Sequence, residues 1–181
     1  KAPSLVRSPS AHPAFRPGRV WRDTSGRAIN AHGGGLLFHE GMYYWFGEHK
    51  IAGYEGNRAH VGVHVYRSRD LYDWEDHGIA LSVLDHPGTE LLPGCTVERP
   101  KVVHNRKTGK FVMWFHLEPK GAGYTAARSG VAVSESPSGP YRFLGSLRPN
   151  ARVWPENAPQ ELRRELSPHE AAYLASLDPM R

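Results

Sequence analysis

Two stretches of this chain echo each other at a constant spacing. Residues 36–48 read LLFHEGMYYWFGE, and residues 102–116 read VVHNRKTGKFVMWFH. Each is a run of aromatic and β-branched residues, a turn, and a second such run. Gly41 and Gly109 occupy the turns, 68 residues apart, and glycine readily takes the positive φ that tight hairpins demand. Further on, VGVHVYRS (61–68) is echoed by SGVAVSES (129–136), with Gly62 and Gly130, Val63 and Val131, Val65 and Val133, and Ser68 and Ser136 again 68 apart. LYDWEDHGIAL (71–81) and GPYRFLGSL (139–147) then each lead from an aromatic turn into a last short strand. A spacing shared by so many features marks a structural repeat.

Each unit holds about four short antiparallel strands. In Val61, Val63 and Val65 the apolar residues alternate, which predicts one face for them and the other for Gly62 and His64. Composition agrees: Gly and Pro together make up 34 of 181 residues, with 19 aromatics, and such richness in turn formers favours many short strands. Repetition at fixed register fits the blades of a β-propeller better than a sandwich, with two similar meanders in one barrel as the alternative. The two units cover about residues 30–150, whereas a propeller closes with four blades or more. The expectation is therefore an all-β chain supplying about two blades of a longer propeller, or one completed by association, with exposed sheet edges. Residues 1–19 read as a Pro/Arg-rich leader or linker, and 20–150 as the two blades. Residues 151–181 read as an irregular, helical excursion, with Ser167-Pro168 as cap and first helical residue and Glu170 at the capping-box position.

Charge and motif content exclude several functions. All of the net +5 lies in residues 1–27, and the remaining 154 residues carry 17 positive and 17 negative side chains. A nucleic-acid binder shows a basic face on its folded part, so none is expected here. No run approaches 18 apolar residues, so no membrane-spanning helix is expected, and the leader lacks the apolar stretch of a signal peptide. The single cysteine, Cys95, rules out an internal disulfide framework and a cysteine zinc cluster. His60 and His64 sit in a predicted strand, where four residues span about 13 Å, too far to share an ion. No metal site is expected, and neither HExxH nor GxSxG occurs.

The strand starts of a propeller converge on its axis, so polar residues there are the candidates for chemistry. INAHGGGLL (29–37) offers Asn30 and His32 as hydrogen-bonding groups, and its three glycines suit either close packing or close approach of a ligand. Glu48 ends the aromatic strand YYWFGE, and a carboxylate beside aromatic rings suits a sugar, whose CH faces stack while its hydroxyls bind acids. Glu98, in CTVERPKVV (95–103), precedes Arg99 and Pro100 at the start of a predicted central strand. Adjacent strand side chains face opposite ways, so Glu98 and Arg99 are not expected to pair with each other.

The blocks AHGGG, FGE and VERPKV, with VGVHVYRSRDLYDWEDHGIAL and SGVAVSESPSGPYRFLGSLRPN, make residues 20–150 resemble the N-terminal part of glycoside hydrolase family 43. The similarity is strongest to the exo-β-1,3-galactanase branch. The resemblance implies a five-bladed propeller with an axial pocket, no cofactor, and an oligo- or polysaccharide with terminal β-galactose as partner. It further implies extracellular or periplasmic action and inverting hydrolysis, which employs two carboxyl-bearing groups about 6.5–9.5 Å apart. On this resemblance Glu98 is catalytic, Glu48 and Tyr124 hold the substrate, and His32 lines the pocket floor. The aspartate base of most of the family is replaced here by the AHGGG block, as in the galactanase branch. The family's general acid lies in a later blade, past Arg181, so the chain by itself is expected to lack the proton donor. A non-catalytic carbohydrate-binding propeller remnant is the alternative.

Overall fold

Among the described residues, the aromatic and β-branched runs form eight strands. In the computed structural model, which describes residues 14–85 and 87–149 together with 157, 159, 160, 167–170 and 172, these are β1 (His32–His39), β2 (Met42–His49), β3 (Gly62–Ser68), β4 (Glu75–Ser82), β5 (Thr96–Asn105), β6 (Lys110–Glu118), β7 (Arg128–Ser134) and β8 (Arg142–Leu147). A 3-10 turn, Tyr124–Ala126, precedes β7. They make two four-stranded antiparallel sheets in the orders β1-β2-β3-β4 and β5-β6-β7-β8, with β1 packed beside β5. The all-β arrangement is consistent with part of a propeller; the two sheets do not close on themselves.

The repeat is real, but its spacing is not uniform. The first hairpin turns in two residues, His39 pairing with Met42, while the second takes four, Asn105 pairing with Lys110. Tyr43 faces Ser68 and Phe111 faces Ser134. Equivalent positions are thus 68 apart in the second strands but 66 apart in the first and third. The echo of VGVHVYRS in SGVAVSES is therefore offset by two residues from the true correspondence. Ser68 and Ser134 confirm this, because each is buried and each accepts a hydrogen bond from the backbone N–H two residues on, at 3.1 Å.

The sheets stack on a shared apolar core in which Phe46, Val63, Val65, Cys95, Met113 and Leu117 are fully buried. Tyr44 and Phe46 of β2 point into it, as do Phe111, Met113 and Phe115 of β6. At the 68-residue spacing these two sets fall on opposite faces. Stacked repeats require that: one sheet buries the face toward its successor, the other the face toward its predecessor. The remaining faces are open at their inner strands, with Leu36 and Phe38 exposed on one flank and Val103 and Trp114 on the other. Burial pushes the Cys95 thiol up to about 11.

The alternation expected for β3 is only half of its pattern. Val63 and Val65 enter the main core, but Gly62, His64 and Tyr66 on the other face are buried too. Trp74 and Trp45 close over that second face. Pro100 does not begin a strand but lies within β5, where a bulge between the paired residues Glu98 and Lys101 spares the missing N–H. Of the expected C-terminal excursion, 168–170 and 172 are helical. Ser167 N–H donates to Glu170 Oε2 at 2.9 Å and Glu170 N–H to Ser167 Oγ at 3.3 Å, a capping box. Residues 151–156, 158, 161–166, 171 and 173–181 of the excursion, and residues 1–13 of the expected leader, lie outside the described residues.

Candidate active site

The inner strands of both sheets carry the same irregularity. In β1 the register shifts between His32 and Gly35, and in β5 between Glu98 and Lys101. Gly33 (φ 58) and Arg99 (φ 53) are the matching left-handed residues. The cross-strand partners at these bulges are His32 with Glu48 and Glu98 with His116. Glu98 thus occupies in the second sheet the position of His32 in the first, and His116 the position of Glu48. Two strand starts, each with an acid and an imidazole, meet where the sheets join.

Glu48 is the best-defined group of the site. It is buried, with its Oε1 accepting the Arg99 N–H at 3.2 Å and its Oε2 3.1 Å from Lys50 Nζ. The contact to Arg99 brings the Glu48 carboxylate against the backbone that carries Glu98, although the two acids are 50 residues apart in sequence. The AHGGG glycines make this possible. A Cβ on Gly33 would lie 2.5 Å from Glu48 Oε1, one on Gly34 would run into the Trp45 indole, and one on Gly35 into the Pro100 carbonyl. Close packing explains all three glycines.

The other expected residues border this point. His32 is exposed at the start of β1, across from Glu48. Asn30 clamps the end of β2, with Nδ2 donating to the Lys50 carbonyl at 2.8 Å and Oδ1 accepting the Lys50 N–H at 2.9 Å. Tyr124 is exposed on the 3-10 turn, its ring centre 5.8 Å from that of His116. Sequence reading missed Lys50, Arg99, His116 and Glu118. His116 Nε2 lies 2.9 Å from Glu118 Oε1, repeating two residues along β6 the Glu48–Lys50 contact of β2. Counting outward from each hairpin turn would have found His116, because it is the strand partner of Glu98.

Behind β2 lies a second polar cluster that sequence reading also missed. His49 Nδ1 is 3.0 Å from His64 Nδ1, and His64 Nε2 is 2.6 Å from Asp76 Oδ1. Burial, then the neighbouring His64 and His32, lower the His49 pKa, against the pull of Asp76. Burial opposes ionisation of Asp76, but hydrogen bonds from His64 and the Gly78 N–H, with Arg27 nearby, hold its carboxyl below the usual range. Among the described residues, no group of three or more acidic, histidine or cysteine side chains forms a metal site.

A β-1,3-galactosidase of glycoside hydrolase family 43, solved with galactodeoxynojirimycin, is 54% identical to this chain, with a TM-score of 0.77, covering 86% of this chain and 45% of that one. The chain belongs to glycoside hydrolase family 43. Two solved exo-β-1,3-galactanases of the branch are also similar. One, from Phanerochaete chrysosporium with β-1,3-galactotriose, is 41% identical over 73% of this chain and 29% of that one, with a TM-score of 0.65. The other, from Clostridium thermocellum, is 44% identical over 75% of this chain and 28% of that one, with a TM-score of 0.65. This family-43 chain spans less than half the length of each of these proteins. No protein-family model matches it, and no curated protein does.

Proposed function

We propose that this chain forms part of an exo-acting, inverting glycosidase that releases galactose from β-1,3-galactan. The buried Glu48 carboxylate, held on the Arg99 N–H beside Glu98, carries the reading. Glu98 is the catalytic carboxylate of the pair, stabilising positive charge that develops on the sugar ring in the transition state. Glu48, fixed by two donors, accepts from sugar hydroxyls with its remaining lone pairs. Tyr124 and His32 border the terminal galactose, and Asn30, engaged with Lys50, reaches it through its second amide hydrogen. The solved relatives bound to galactodeoxynojirimycin and β-1,3-galactotriose support a galactose-terminated oligosaccharide as partner. Their length supports a five-bladed domain of which these two sheets are the first part. A polymer too large to cross a membrane places the work outside the cytoplasm, in an extracellular or periplasmic setting.

Substitution of Glu98 by Gln in the intact protein should lower turnover of β-1,3-galactobiose by roughly 10²–10⁴-fold while leaving galactose binding measurable by calorimetry. Near-normal turnover would remove Glu98 from catalysis. Binding of galactobiose by the unsubstituted protein with no release of reducing sugar would favour a carbohydrate-binding propeller instead.

A further inference from the structure

Glu48 is buried, and a buried carboxylate needs both a counter-charge and donors for its oxygens. The Arg99 N–H supplies one donor, 3.2 Å from Oε1, and Lys50 Nζ, 3.1 Å from Oε2, supplies the charge. Lys50 follows the end of β2, two residues past Glu48, and on an extended chain that spacing puts both side chains on one side. A lysine head is ordinarily free to turn about its flexible stem, but this residue is fixed at both ends. Nζ also donates to Asn57 Oδ1 at 2.7 Å, and the Lys50 backbone is clamped by Asn30 through two hydrogen bonds.

Asn57 belongs to the loop between β2 and β3, and that loop is itself anchored. The Gly56 N–H donates to the Gly53 carbonyl at 3.2 Å, and the Ala59 N–H to the Cys95 carbonyl at 2.6 Å. Cys95 directly precedes β5, the strand that carries Glu98. Lys50 therefore ties the Glu48 carboxylate to a loop braced against the second sheet. With a donor at each oxygen, the plane of the carboxylate is fixed and its remaining lone pairs keep one direction. We propose that Lys50, held on Asn57, is a positioning residue that fixes Glu48 for a galactose hydroxyl. This rests on the reading of Glu48 as a sugar-binding acid.

Galactose binding to the intact protein, followed by calorimetry, tests it. Lys50→Met removes the charge and the donor but keeps the stem, and should weaken affinity roughly tenfold. Lys50→Arg restores a charged donor and should recover affinity to within about threefold of the unsubstituted protein. Asn57→Ala leaves Lys50 in place without its anchor, and should cost roughly two- to fourfold. Because Lys50 acts through Glu48, Lys50→Met added to Glu48→Gln should weaken binding by less than about twofold further. Unchanged affinity in Lys50→Met or in Asn57→Ala overturns the proposal and leaves the sugar reading standing. So does a Lys50→Arg variant no better than Lys50→Met, or a full tenfold loss repeated on top of Glu48→Gln, which would put the ammonium on the sugar itself. Where Glu48→Gln binds too weakly to titrate, Lys50→Arg and Asn57→Ala decide. If the unsubstituted protein binds no galactose, the sugar reading fails and the role of Lys50 falls with it.

Discussion

Gly33 shows how one backbone conformation defines a functional side chain. Its φ of 58° is a region in which an L-residue costs about 1–2 kcal/mol, and the space a Cβ would fill belongs to Glu48 Oε1. Gly109 shares the conformation, at φ 70°, but has nothing within 4 Å of an added Cβ. Gly33→Ala and Gly109→Ala should therefore both lose about 1–2 kcal/mol in urea melts, while galactose affinity, read by calorimetry, should fall only in Gly33→Ala. Equal affinities would mean that Glu48 does not depend on the cradle. Glu48 and Glu98 were legible because they stand in contiguous blocks, FGE and VERPKV. His116 was not, because its place beside Glu98 is set by pairing between strands.

At the scale of elements, the hairpins and bulges set the register that brings these residues together. Glu40 and Gly41, with φ 47° and 79°, form a two-residue turn in which both residues are left-handed. That turn favours Asn ahead of Gly, so Glu40→Asn should stabilise the chain by about 0.5–1 kcal/mol, seen as a raised urea midpoint. A lowered midpoint would show that Glu40 makes a contribution that Asn cannot replace. The array that laces β2, β3 and β4 makes stability depend on pH. The folded-state pKa of His49 lies below its ordinary value of 6.5, so the unfolded chain takes up the proton first. Its contribution is fully present above 6.5 and is lost as pH falls through the lower, folded value. Comparing urea midpoints at about pH 7.5 and about pH 5.5, the decline should be shallower in His49→Gln than in the unsubstituted chain. An identical decline would assign the pH dependence to other groups. The hairpins were readable from glycine positions and apolar runs. The two-residue difference between their turns was not, and it displaced the apparent repeat in the third strand.

At the scale of the whole molecule, two stacked sheets leave two faces without a neighbour. Leu36 and Phe38 are each 60% exposed on one, with Val103 at 53% and Trp114 at 42% on the other. Apolar sheet faces of this kind associate. The chain should sediment as a concentration-dependent mixture, and the double substitution Phe38→Lys and Trp114→Lys should shift it toward monomer without loss of the β-sheet circular dichroism signal. A monomer at all concentrations would show that these faces are too small to drive association. By itself, the sequence determined that the chain is β-structured, that its units repeat, and that Glu48 ends one strand while Glu98 stands near the start of another, because period-two patterning and turn residues act over a few neighbouring positions. Only the tertiary structure decided that equivalent strands bury opposite faces, that Glu48 leans on the backbone next to Glu98, and that His49, His64 and Asp76 come together across three strands. Those outcomes come from stacking one sheet on another and from cross-strand register, and each links residues whose separation along the chain carries no local signal of contact.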